Sequence, residues 1–368
     1  MLFHRMLVGL SKEFSKNFIQ ISGSNAPFGS HSVGLCSDGS GWAWGRNNWG
    51  QLGTNNTVDC SSPVSVVGKN SFTKICAGDM HIIFLKSDGS ILTCGRNDYG
   101  QLGTGNLDSK SSPVSIIGNH SFTNISGGNL ASYTLKSDGS MWAWGYNFFG
   151  TLGDGTTESR SSPVSVVGNH SFSSIVSSSN NHLGALENGS AWMWGVNSSG
   201  QLGTGNRSDY RIPTSVIGGH SFVKISVGAA FSAFLKSDGS VWTCGRNLYG
   251  ELGTGNSNSR SSPVSVLGNH SFIDISCGGT WTLALKADGS VWVWGNNDYG
   301  QLGTNNLVSY SSPVSVVGGH SFIAICGGSE WSLALKSDGS AWAWGRNIWG
   351  KLGTGNTINY SSPVSVLR

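Results

Sequence analysis

Charge is what this sequence has least of. Asp, Glu, Lys and Arg make up 11% of its 368 residues, against about 25% in an ordinary domain, so its surface has to be built from Ser, Asn, Thr and Gly. The formal balance of +3 is not gathered into a tail or stripe, which excludes the electrostatic footprint of a direct nucleic-acid binder. Long apolar runs are missing as well. The N-terminal run Met6–Leu10 is too short for a signal-peptide core, and no stretch approaches the length that spans a bilayer; neither secretion nor a membrane is expected. Seven cysteines, an odd number without a CxxC pair, make neither a disulfide framework nor a zinc site. Free thiols fit a reducing compartment, and a cytoplasmic setting is expected. No segment keeps a helical period.

What the chain does have is Gly (55), Trp (15) and a repeat. Turn signals stand at Asp38-Gly39, Asp88-Gly89, Asp138-Gly139, Asn188-Gly189, Asp238-Gly239, Asp288-Gly289 and Asp338-Gly339, each fifty residues from the last with no insertion between them. A fixed period of this kind must be interpreted before any local motif. Within a unit, LKSDGSVWVWG (285–295) is an apolar run, a turn and a returning run, hence an antiparallel hairpin. The Phe272-x-x-Ile275 segment supplies a third strand, and Pro263-Val-Ser-Val266 a fourth whose proline sits where a missing N–H costs least. Four short strands in each of seven units predict an all-β, seven-bladed propeller over 18–368, with 1–17 as an N-terminal extension acting as a short cap or adaptor. The last unit runs almost to the C-terminus as a good strand, so the ring is expected to close by bringing the terminal segments together. The first unit carries four extra residues around Asn25–Ser30, including Pro27, the one proline outside the pattern.

Segments such as WGRNDYGQLGTGN, preceded by GGxxxxLALKxDGS and followed by a Pro-x-x-V strand, resemble the regulator of chromosome condensation repeat family over residues 18–367. The resemblance implies a propeller that works through one face against a protein: an exchange factor for the small GTPase Ran, a tryptophan-based ultraviolet receptor, or a clasping enzyme inhibitor. Two departures matter. The histidine that often follows the glycine pair is present here as His31 and His81, while Ala131, Asn181, Phe231, Trp281 and Trp331 fill the other units. No long insertion supplies a protruding wedge of the kind the Ran exchange factor uses.

Seven near-copies also separate framework from variation. The tryptophan pairs, such as Trp142/Trp144 and Trp342/Trp344, lie two apart on one strand face and are expected to fill the space between blades. His120, His170, His220, His270 and His320 recur one per blade, too dispersed to share a metal; no cofactor is expected, and no catalytic set can be assembled. Three windows vary: after the glycine pair, inside WGxNxxG, and after LGTGN. All three are expected on loops, where rigid scaffolds place their binding residues. The aromatic second position of the middle window fits either packing or display. Trp281, Trp331, Trp349 and Trp49 fall on consecutive blades six, seven and one and are the expected anchors for a partner protein, with Glu330, Tyr299, His81 and Phe231 beside them. The expected function is therefore a monomeric, non-enzymatic protein-interaction scaffold, with guanine nucleotide exchange on a Ran-like small GTPase as the alternative and a tryptophan-based ultraviolet sensor as a further one. Repeat four, with Ser177-Ser178 for the glycines and Ser198-Ser199 for the aromatic, stands apart.

Overall fold

The computed structural model describes residues 17–24 and 30–367. The expected N-terminal cap, and nearly all of the extra segment around Pro27, lie outside the described residues. Twenty-eight strands, numbered β1–β28 in chain order, form seven four-stranded antiparallel sheets. The first holds β1 (Phe18–Gly23), β2 (His31–Cys36), β3 (Gly41–Gly45) and β4 (Cys60–Ser65), side by side in sequence order. The last holds β25 (Ala324–Gly327), β26 (Trp331–Leu335), β27 (Ala341–Gly345) and β28 (Tyr360–Ser365). The fold is the seven-bladed propeller that the repeat predicts. First strands stand around a central space, lined in every blade by the pair equivalent to Ser22-Gly23. Since strands alternate in direction, the first-to-second and third-to-fourth connections share one face, the loop face; the Asp-Gly turns and the His-Ser-Phe segments share the other.

Each junction between blades is built the same way. The loop after the third strand folds around a fully buried asparagine; Asn47 Nδ2 donates to Asn56 O and Val58 O at 3.1 Å, and its Oδ1 accepts Leu52 N–H at 2.8 Å. That loop then reaches the following blade. The indole N–H of the second tryptophan in each pair donates to the backbone carbonyl at the Gln51 position one blade back: Trp144 to Gln101 at 2.9 Å, Trp194 to Thr151 at 3.0 Å, Trp294 to Glu251 at 2.8 Å and Trp344 to Gln301 at 2.9 Å. Cys94 and Cys244 stand in that place in blades two and five, their thiols turned to the same carbonyls. These tryptophans have no exposed surface, as packing between blades requires.

Closure uses the same contacts and no exchanged strand. Trp44 of blade one donates to Lys351 O of blade seven at 3.0 Å, and Gly355 N–H donates to Ser61 O at 2.8 Å, the counterpart of Gly105 to Ser161 and Gly255 to Ser311 elsewhere. The terminal segments meet at this seam as expected, with Phe18 N–H donating to Gly339 O at 3.1 Å, while β28 pairs with β27 in its own blade. It is an outer strand like the other six, and every blade is one continuous stretch of chain.

The first tryptophan of each pair has another task. Trp142, Trp192, Trp242, Trp292 and Trp342 each carry a histidine ring 4.3–4.5 Å away (His120, His170, His220, His270, His320). A lysine ammonium lies 4.2–4.5 Å from four of these indoles. The recurring histidines are thus packing elements on the turn face.

Repeat four departs for a readable reason. Asn188 and Gly189 both have positive φ (50° and 79°) and make a two-residue hairpin turn, the geometry that matches strand twist. In the other blades only the glycine is left-handed, and the Asp carboxylate accepts Ser N–H two residues on, as Asp38 does from Ser40 at 2.8 Å. The shorter turn moves the register by one, so that His182, not Asn181, pairs with Gly195, as His81 pairs with Gly95. Histidine therefore fills that position in three blades. Trp194→Phe, which keeps the ring and loses the hydrogen bond to Thr151, is expected to cost about 1–3 kcal/mol in urea unfolding, and Trp194→Ala about 3–5 kcal/mol.

Candidate functional site

The last position of the first variable window is not a display surface. Trp281, Trp331, His81 and Phe231 open their second strands instead of lying in loops, and all four are buried to within 1%. Each ring lies over the glycine three residues earlier; a Cβ added at Gly278 or Gly228 would come within 2.2 or 2.0 Å of Trp281 or Phe231. The polar tips point to the next blade. Trp331 Nε1 donates to Ser32 Oγ at 3.1 Å, and His81 Nε2 meets Ser132 Oγ at 2.9 Å. These four residues are wedges between blades, and the expectation that they touch a partner is corrected by their burial. Sequence reasoning missed this because a strand's first residue and a loop's last look alike.

The other two windows are displayed. Trp349 is 42% exposed, Trp49 and Tyr299 are half-buried, and Glu330 lies in the connection before β26. An unexpected partner orders the aromatics: the residue between Gly and Asn in WGxN, taken from the following blade. Arg346 stacks over Tyr299 (4.5 Å to the ring centroid), Arg46 over Trp349 (5.3 Å) and Arg96 over Trp49 (4.9 Å). At the next junction Tyr146 replaces arginine and packs edge-on to Tyr99 at 4.9 Å. Stacking of this type holds an aromatic ring at the surface without covering it. Both readings of the middle window therefore hold in part: the ring packs on one side and remains open on the other. Variation at the WGxN residue (Arg, Arg, Tyr, Val, Arg, Asn, Arg) was the signal that could have revealed the ladder.

Two clefts open beside it. One, of about 680 Å³, lies between blades seven and one and is lined by Tyr299, Arg346, Ile348, Trp349, Thr357 and Asn359, with Asp59 and Ser61 opposite. The second, of about 260 Å³, is lined by Arg246, Tyr249, Asn296, Asp298, Tyr299 and Glu330 among others. A charge cluster links them. Arg346 Nη1 donates to both Glu330 oxygens at 2.9 and 2.7 Å, and buried Lys351 places Nζ 3.5 Å from the same carboxylate and 4.3 Å from the Trp331 ring. Burial pulls the Lys351 ammonium down to about 8, partly offset by Glu330. Exposed aliphatics stand in the third variable window of these blades: Leu307 and Val308 in blade six, Ile358 in blade seven, Val58 in blade one. The same loop positions in blades four and five carry Arg207, Ser208, Ser257 and Asn258. Among the described residues no three His, Cys, Asp or Glu side chains gather as metal ligands, and no helix is long and apolar enough to cross a membrane.

Comparison with known proteins agrees with the geometry. The RCC1-like domain model matches residues 110–368, and two models of the regulator of chromosome condensation (RCC1) repeat match 38–85 and 72–101. The chain belongs to the RCC1-like domain family. No curated protein sequence matches it. Among solved structures, this RCC1-like propeller is similar to human WBSCR16 (TM-score 0.81, 19% identity, covering 89% of this chain and 94% of that one). It is similar as well to Prp20p of Saccharomyces cerevisiae, described with its binding properties to Gsp1p and histones (TM-score 0.81, 18% identity, 91% and 87%). Yeast RCC1 (Prp20) bound by Kap60 gives a TM-score of 0.78 at 19% identity, covering 89% and 83%. Identity at this level is a likeness of fold.

The buried histidines give the propeller a pH-sensitive joint. Burial pulls His81 down to about 3, with His31 adding repulsion, and His182 down to about 4. Both are neutral in the fold and protonate freely when unfolded near pH 6.5. Their contribution is complete above that pH and is lost as pH falls towards 4, by about 2 kcal/mol each between pH 7 and pH 5. Urea midpoints across that range are expected to fall more steeply for the wild-type chain than for a His81→Gln variant.

Proposed function

We propose that this chain is a non-enzymatic interaction module that holds a partner protein on the loop face at blades six, seven and one. The observation that carries this is the pair of displayed apolar residues Ile348 and Trp349, which line the 680 Å³ cleft together with Tyr299. Scattered exposed aliphatics are ordinary on any protein. A half-open tryptophan beside an exposed isoleucine at the lip of a cleft is the composition of a binding hot spot. Trp349 and Trp49 remain as anchors; Trp281 and Trp331 do not. Charges in the cleft are internally paired through Arg346 and Glu330, so the partner is recognised chiefly by shape and apolar contact. The seven cysteines, which form no disulfide among the described residues, are in keeping with action in a reducing compartment.

Immobilised wild-type chain is expected to retain a partner from its native lysate that a Trp349→Ala, Ile348→Ser chain binds about 30-fold more weakly. Both chains should unfold within about 1 kcal/mol of each other, whereas Trp331→Ala should cost about 3–5 kcal/mol through loss of the core. Capture unaffected by the double substitution would remove this reading. Exchange of guanine nucleotide on a Ran-like GTPase rests on kinship, through a relative characterised for Gsp1p binding, and stimulated nucleotide release in a purified assay decides it.

A further inference from the structure

The loop that carries Trp349 differs from its counterparts at one buried position. In five repeats the residue two beyond the aromatic site accepts that site's backbone N–H. Gln51 accepts from Trp49 at 2.9 Å, Gln101 from Tyr99 at 3.0 Å, Gln201 from Ser199 at 2.9 Å, Glu251 from Tyr249 at 2.8 Å and Gln301 from Tyr299 at 2.9 Å. Repeat seven has Lys351, which has no exposed surface. A protonated amine carries three donors and no lone pair, so it cannot take the acceptor's place.

The backbone responds at the residue deprived of its acceptor. Trp349 has φ +68° and ψ +10°, and among the described residues it is the only aromatic one with positive φ. A bulky side chain takes that conformation only under constraint. Repeat three also lacks the acceptor, but there Thr151 turns its hydroxyl to Tyr146 O at 3.0 Å. Its loop is held by the mutual packing of Tyr146, Phe148 and Phe149, with ring centroids 5.3–6.4 Å apart. Repeat seven has no such cluster: Ile348 and Trp349 stand outward, and the ammonium is drawn inward by Glu330 and the Trp331 ring.

We infer that Lys351 is a positioning residue: by withholding the acceptor that other repeats provide, it turns Trp349 into left-handed backbone and so shapes the cleft between blades seven and one. Its effect on binding rests on the function proposed above; its effect on the backbone does not.

Trp349→Gly and Trp349→Ala, each made with Lys351 and with Lys351→Gln, test this in urea unfolding, because glycine is favoured over alanine where φ is positive and disfavoured where it is right-handed. The Trp349→Gly chain is expected to have the higher midpoint when Lys351 is present and the lower one with Lys351→Gln. The same order in both backgrounds overturns the inference. With Trp349 intact, Lys351→Gln is expected to weaken partner capture at least tenfold. Undiminished capture by Lys351→Gln, alongside loss on Trp349→Ala, overturns the role in binding and leaves the proposed function standing. If neither substitution affects capture, the proposed function fails, and the order of midpoints alone decides the role of Lys351.

Discussion

The ring depends on one contact, made at every junction: a loop pressed between blades whose carbonyl is met by a buried indole or thiol from the next blade. Blades of four short strands bury little by themselves. Each gains stability by covering its neighbour, and the loop equivalent to Asn47–Asp59 is where that cover is fastened, with a buried asparagine holding its shape and a tryptophan holding its position. The uniform spacing of the sequence follows from this. An insertion within the fastened part would move the carbonyl away from the indole, so the repeats vary there by substitution and not in length.

The same contact decides what each variable position can be. A residue at the start of a second strand is buried at the junction whatever its chemistry, and histidine, alanine, phenylalanine and tryptophan all occur there. The residue two beyond the buried asparagine lies on the loop face, and Tyr299, Trp349 and Trp49 lean there on an arginine from the following blade. The two windows looked equivalent in the sequence because both are rich in aromatics; their surroundings are opposite.

Architecture was therefore legible from the chain, and display only partly so. Asp-Gly, the paired tryptophans and Pro-Val-Ser-Val specify strands and turns through local chemistry and recur often enough to be unambiguous. Trp49, Tyr299 and Trp349 were found as surface positions for the same reason. The errors share one origin. Whether Trp281 is exposed depends on where a strand begins to within one residue, and whether Asn181 or His182 faces the junction depends on a turn shortened by one residue elsewhere in the blade. Arg46, Arg96 and Arg346 escaped notice since each serves an aromatic some fifty residues back or, for Arg46, at the far end of the chain.

Closure without strand exchange has a consequence for how such a molecule can change. No blade borrows a strand from the opposite terminus, so every unit from first to fourth strand is a complete genetic cassette, and the seam between the termini is chemically one joint among seven. A duplication or loss of fifty residues would leave each remaining blade whole and disturb only ring size and curvature. The chain ends could equally be moved to another junction without dividing a sheet. The individuality of the molecule lies in substitutions at single positions of its joints, Lys351 at the seam between blades seven and one among them.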